Sequence, residues 1–277
     1  MTNAVQDARG SQIRVAKVKT SRRVWSPQTT ERLMNIVSPV FLLLLREAAA
    51  RFGMIDVRFF PAPSKVFSVM FNMIENGLLM KHVWASLQRL FWGILWGGIP
   101  ALILGVAMGM FRTLRMIIEP VIAATYPIPK SAILPLILLI FGLGEPSKIV
   151  MVATGVFFPI LINSMAGVLE INKIHFDVSR NFGANGFQTF LTVALPGALP
   201  LIMTGVKLGV GLGLVLIAIA EMVGAKSGLG YMIWNAWEIL SVETMYVGLI
   251  TIAVLGLAFT LILNEIERLI VPWKVAR

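Results

Sequence analysis

The chain has 277 residues, of which 57% are apolar and 14% charged, and its mean hydropathy is +0.82. Soluble domains carry nearer about 25% charged residues, and a soluble fold of this length cannot hide so much apolar surface, so lipid is the solvent for most of the chain. The absence of cysteine excludes disulfides, thiolate metal sites and cysteine nucleophiles, and the formal charge of +10 reads as orientation-setting loop charge rather than a nucleic-acid surface.

Residues 1–32 are polar and basic (Arg9, Arg14, Lys17, Lys19, Arg22, Arg23, Arg32) and have no apolar core. They read as a cytoplasmic arm that rests on anionic lipid, not as a cleavable signal peptide. A helix of about 20 apolar residues crosses a hydrocarbon core of about 30 Å. Six stretches meet that length, near 33–51, 88–110, 117–141, 148–168, 201–222 and 245–264, within a membrane domain of 33–264; residues 265–277 form a short cytoplasmic tail. The first stretch contains Arg46 and Glu47, close enough to its far end to snorkel.

With the N-terminus inside, the cytoplasmic segments hold 14 Lys and Arg and the outer ones five (Arg58, Lys65, Lys81, Lys148, Lys226). Both termini are therefore expected to be cytoplasmic. In the outer segment 52–86, Pro61 and Pro63 make a turn, and Ser64 is placed to cap a helix over 65–76.

Two spans carry small residues every four positions: Gly93, Gly97, Ala101, Gly105 and Gly109 in one, Gly205, Gly209 and Gly213 in the other. Such faces let backbones approach closely. Tight packing explains the first stripe; packing and pathway lining are both open for the second. The span 117–141 contains Pro120, Pro127, Pro129 and Pro135. Each removes a backbone donor and bends or interrupts the helix, which lipid tolerates only where protein or water satisfies the freed carbonyls. That reads as a helix lining a pathway.

Between the fourth and fifth spans lies a loop, 170–200, too patterned for a linker. It reads as a short amphipathic helix over 172–182, a turn at Gly183 to Gly186 where glycine permits positive φ, and a second helix ending at Pro196. Arg180, Asn181 and Phe182 stand at its tip, with Ala184 just beyond the turn.

This loop resembles the coupling loop of binding-protein-dependent ABC importer permeases, whose pattern is E-A-A, three residues, Gly, nine residues, then I-x-L-P. Here Asp177-Val178-Ser179 stands for the triplet, Gly183 follows at the right spacing, and Val193-Ala194-Leu195-Pro196 closes the pattern. A literal Glu47-Ala48-Ala49 with Gly53 lacks the second half of the pattern and leaves the first span on the outer side. Leu134-Pro135-Leu136, Phe141 to Gly144, Leu195 to Pro200, and Ala220-Glu221 through Ser227 to Tyr231 extend the resemblance, which is to sulfonate, taurine and nitrate importer permeases and covers roughly 35–270.

The resemblance implies an all-α integral membrane protein of the bacterial inner membrane, a type I ABC importer permease of about six spans. It implies a second permease copy, ABC ATPase subunits that receive the loop, and a periplasmic or extracellular solute-binding protein. ATP and Mg would sit on the ATPases, since no phosphate-binding loop is present here; this chain is expected to bind no cofactor, metal or nucleic acid. The solute implied is a sulfonate-, taurine-, nitrate- or bicarbonate-like anion, with a thiamine-pyrimidine-like or other small organic solute as the alternative. Polar or helix-breaking residues at membrane depth are pathway candidates: Tyr126, Pro127, Pro129, Lys130, Asn163 and Glu221. A proton-coupled secondary carrier would want mid-span carboxylates, and an intramembrane enzyme paired Asp, Ser–His or a metal cluster; neither pattern is visible. His82 and His175 are far apart and read as boundary residues.

Overall fold

The computed structural model describes residues 27–273, with the side chains of 27–33, 35 and 36 outside the described residues. The basic arm therefore falls almost wholly outside them, as do Lys274 and Arg277 of the tail. The described chain is helical: α1 Pro27–Arg51, α2 Pro63–Glu75, α3 Leu78–Met110, α4 Arg112–Thr125, a 3₁₀ turn Lys130–Ile133, α5 Leu134–Phe141, α6 Glu145–Glu170, α7 Lys173–Asn181, α8 Gly186–Thr189, a π turn Phe190–Ala194, α9 Leu195–Met222, α10 Leu229–Glu238 and α11 Val242–Ile270. The chain divides at 48/49 into two units. The first contains most of α1, the expected first span.

Among the described residues four helices are long and apolar enough to cross a membrane, or five if α4 and α5 count as one span, since they meet at 86° across a short break. The proline-rich stretch is thus interrupted rather than bent. Pro120 lies within α4, Pro135 opens α5, and Pro127 and Pro129 occupy the break. The second expected span starts earlier than its apolar run, at Leu78, because the first turns of α3 pack against α2 and α10. Ser64 is not the cap of α2: Ala62 holds the N-cap position without a side-chain bond, and Pro63 supplies the pre-set φ of the first turn.

In the second unit α6 packs along both α3 and α9. Glycine makes this possible. A Cβ at Gly97 would overlap the backbone of Ala153, and one at Gly105 the backbone carbonyl of Leu161. On α9, Gly205 lies against Pro159 and Asn163 of α6, and Gly213 against Leu90 and Val156. Both small-residue stripes therefore serve helix packing. The core they enclose contains Leu90, Ala101, Met108, Val156, Leu161 and Ile217. A second cluster joins α2, α10 and α11 through Val66, Met73, Met232 and Val247. In the segment before α2, Asp56 accepts bonds from the Arg58 guanidinium and backbone N–H, which hold its carboxyl below the usual value.

Candidate functional site

The loop between α6 and α9 is a hydrogen-bonded elbow. Asn172 caps α7 by accepting from the N–H of Ile174. At the other end Gly183 takes φ +75°; its N–H bonds to the Arg180 carbonyl at 2.9 Å, and the Ala184 N–H bonds to that of Ser179 at 3.1 Å. This is a Schellman C-cap, which needs a left-handed residue and so glycine. Asn185 then caps α8 in a reciprocal pair with Gln188, both bonds 2.8 Å. The Ser179 and Thr189 hydroxyls meet at 2.9 Å and tie α7 to α8.

The second helix of the loop does not end at Pro196. It runs through the π turn into α9 as one stretch, Gly186–Met222. Pro196 lacks the N–H that would serve the Thr192 carbonyl, and the wider π turn just before it absorbs that irregularity. The elbow is thereby rigidly continuous with a span. Phe182 at its tip is 88% exposed, and Asp177, Arg180 and Asn181 are exposed. Asp177 and Arg180 approach at 3.9 Å, a surface pair of little energetic weight. Leu195 and Pro196 are half-buried at the root of α9. A cleft of about 490 Å³ runs beside the elbow, lined among others by Ile171, His175, Val178, Phe182, Thr192 and Pro196.

At the opposite end of the spans the structure assembles a polar cluster that sequence reasoning did not. Arg89 of α3 is buried and uses all five guanidinium N–H donors. Nε and Nη2 grip the Glu145 carboxylate at 2.5 and 2.7 Å, Nη1 reaches Glu221 and the Ser227 carbonyl at 2.7 Å each, and Nη2 also reaches the Ser227 hydroxyl at 3.3 Å. Glu221 is fully buried and accepts further bonds from the Ser86 hydroxyl and the Gly230 N–H. Ser86 in turn accepts the N–H of Leu229, and His82 Nδ1 accepts that of Gly228. Gly228, at φ +117°, leaves room for the Glu221 carboxylate where any Cβ would strike it. The ends of α3, α6, α9 and α10 are thus tied around one arginine.

Glu221 was a pathway candidate; its placement is inside this cluster, away from any open surface. Lys148, counted among loop cations, is buried in the first turn of α6 and donates to the carbonyls of Leu143 and Gly144. His82 is buried rather than a surface boundary residue, whereas His175 is exposed. The hint was available: an arginine inside an apolar run is rarely there without a partner.

The remaining candidates separate into two places. Tyr126, Pro127 and Pro129 are exposed at the break between α4 and α5. Lys130 Nζ donates to the Thr125 and Tyr126 carbonyls at 3.0 and 3.3 Å and lies 4.0 Å from the centre of the Phe158 ring, on which Tyr126 also packs. Asn163 is elsewhere, bonded to its own helix at the Pro159 carbonyl and wedged against Gly205. A third polar group, missed in the sequence, joins α9 to α11: Lys207 pairs with Glu267 and bonds Asn264 at 2.5 Å.

Among the described residues no cluster of His, Cys, Asp or Glu could hold a metal. Residues 93–274 match the family described as binding-protein-dependent transport system inner membrane component. The chain is 32% identical over 267 residues to the taurine transport system permease protein TauC of Escherichia coli (strain K12), spanning 93% of this chain and 96% of that one. It is 34% identical over 238 residues to the putative aliphatic sulfonates transport permease protein SsuC of the same organism, spanning 86% and 90%. Its fold resembles a chain of the MetNI methionine ABC transporter in inward-facing conformations, with TM-score 0.55 and 23% identity over 69% of this chain and 95% of that one. These relatives are transport subunits, and so is this multi-pass membrane chain; it is not an enzyme. The chain belongs to the binding-protein-dependent transport system inner membrane component family, the permease subunits of ABC importers.

Proposed function

We propose that this permease imports a small sulfonate-type anion and couples that import to separate ATPase chains through the elbow at 170–200. The observation that carries the coupling is the continuity of the elbow with α9: the Schellman turn at Gly183 and the Ser179–Thr189 bond make a stiff lever, and Phe182 projects from its tip. A groove on the ATPase receives Arg180, Asn181 and Phe182. ATP and Mg are bound there and not by this chain. Two copies of the chain flank the path, and an outer binding protein delivers the solute. Both termini are cytoplasmic. The similarity to a taurine and a sulfonate permease supports the anion.

Tagged permease purified from its native membranes should carry an ATP-hydrolysing chain with it. Proteoliposomes of that complex with its binding protein should take up taurine or ethanesulfonate only with ATP. ATP-dependent uptake of neither anion, alongside uptake of a neutral organic solute, would remove the sulfonate assignment; absence of any co-purifying ATPase would remove the coupling. For orientation, Lys226 is an exposed outer reporter on a chain without cysteine. Lys226→Cys should label in intact cells and Ser179→Cys should not; the reverse would invert the topology.

A further inference from the structure

The break between α4 and α5 holds a formal positive charge, that of Lys130. Among the described residues no carboxylate lies within ion-pair distance of Lys130. Its partners are the two carbonyls that end α4 and the face of Phe158. Carbonyl dipoles and a ring quadrupole orient an ammonium but leave its unit charge in place. Other basic side chains in the helix bundle are differently placed: buried Arg89 grips two carboxylates, half-buried Lys207 pairs with Glu267, and buried Lys148 sits close to the Arg89–Glu145 pair.

The surroundings say where this charge faces. Residues 126–129 are exposed, and Pro127 and Pro129 break the helix within an apolar stretch. Non-helical backbone at membrane depth survives only against protein or a water-filled cavity. A cation there without a counter-ion is costly in lipid and inexpensive beside a passing anion. We propose that Lys130, oriented by the α4 C-terminus and Phe158, is the charge that selects anions in the translocation path, and that Tyr126 flanks it as the aromatic wall for the organic part of the solute. This rests on the sulfonate reading above and names the residue that enforces it.

Lys130 also caps α4, so loss of the side chain alone does not isolate its charge. The test therefore uses Lys130→Met, Lys130→Arg and Lys130→Cys in the complete transporter with cysteine-free partner chains. Wild type is assayed first with ethanesulfonate; if it takes up none, the sulfonate reading fails and this proposal falls with it, whereas the variants test Lys130 alone. Given anion uptake, Lys130→Met should lose about 10-fold to 100-fold in ethanesulfonate uptake, the range for one charge-assisted contact, while ATP hydrolysis stimulated by loaded binding protein stays within about twofold. Lys130→Arg should restore uptake. Lys130→Cys should recover when 2-aminoethyl methanethiosulfonate restores an ammonium, and not when methyl methanethiosulfonate adds a neutral group. Undiminished uptake in Lys130→Met, or equal recovery with both reagents, would overturn the proposal; so would a parallel loss of uptake and ATP hydrolysis that the ammonium reagent does not reverse, which marks a capping role only.

Discussion

Replacing Arg89 by methionine removes the one cation among the described residues that pairs with Glu221 and leaves the rest of the polar cluster in place. Glu221 has no exposed side-chain surface, so water cannot take over. The Ser86 hydroxyl and the Gly230 N–H remain as donors, but both are neutral. Breaking a buried pair from one side costs about 3–5 kcal/mol. Coulomb's law agrees in size: unit charges about 4 Å apart at an effective dielectric of about 20 attract by about 4 kcal/mol. The same arginine offers an internal control, because its other carboxylate, Glu145, is 62% exposed. Glu145→Gln should therefore cost only about 0–1 kcal/mol, as exposed pairs do. Glu221→Gln keeps the shape and leaves Arg89 paired to Glu145, so it should fall between, at about 1–3 kcal/mol. The double variant Arg89→Met with Glu221→Gln should recover part of the loss of Arg89→Met, since the stranded charge is gone. The assay is denaturation of the detergent-purified permease, followed by tryptophan fluorescence and by retention as a monodisperse species, with Arg89→Met lowered by on the order of 10 °C. If Arg89→Met is no worse than Glu145→Gln, the ion pair does not hold these helix ends together.

Three further outcomes are expected. Nothing lies within 4 Å of a Cβ built at Gly183, so its need is for positive φ and not for room; Gly183→Val should cost about 1–3 kcal/mol locally and sharply reduce ATPase co-purification and uptake, while Gly183→Asn, which tolerates the left-handed region, should retain most of both. Gly97→Leu drives a side chain into the backbone of Ala153 and should destabilise the folded permease by about 1–3 kcal/mol or more, read as early thermal aggregation. Replacing Pro127 and Pro129 together by alanine should let α4 and α5 approach one continuous helix and cut uptake severalfold with ATPase assembly unchanged; normal uptake would separate the break from transport.

Much of this protein follows from short-range sequence properties. Apolar runs longer than a bilayer crossing mark α3, α6, α9, α11 and the broken α4–α5 pair, because a helix in lipid must satisfy its own backbone over the full thickness, but they do not mark the ends: α3 starts at Leu78 and the stretch that contains α9 at Gly186. The loop was legible for a similar reason: Asn172, Gly183 and Asn185 act on hydrogen bonds only a few residues away, so their effect is written in local order. Proline likewise announced the interruption of 117–141. The cluster around Arg89 was not legible, since Arg89 and Glu221 lie 132 residues apart and Arg89 and Glu145 lie 56 apart. Each alone looks like a charge at the edge of a span; only the packing of α6 against α3 and α9 brings them together and excludes water from Arg89 and Glu221. The same holds for the role of the glycine stripes. Their four-residue spacing marks a close approach, but the partner backbone, Ala153 for Gly97 and Pro159 for Gly205, is set by which helices the tertiary fold makes neighbours. Local sequence thus determined which stretches are apolar enough to cross a membrane and where the chain turns; long-range packing alone decided which charges are buried and with which partners, and that among the described residues Lys130 meets two carbonyls and a ring rather than a carboxylate.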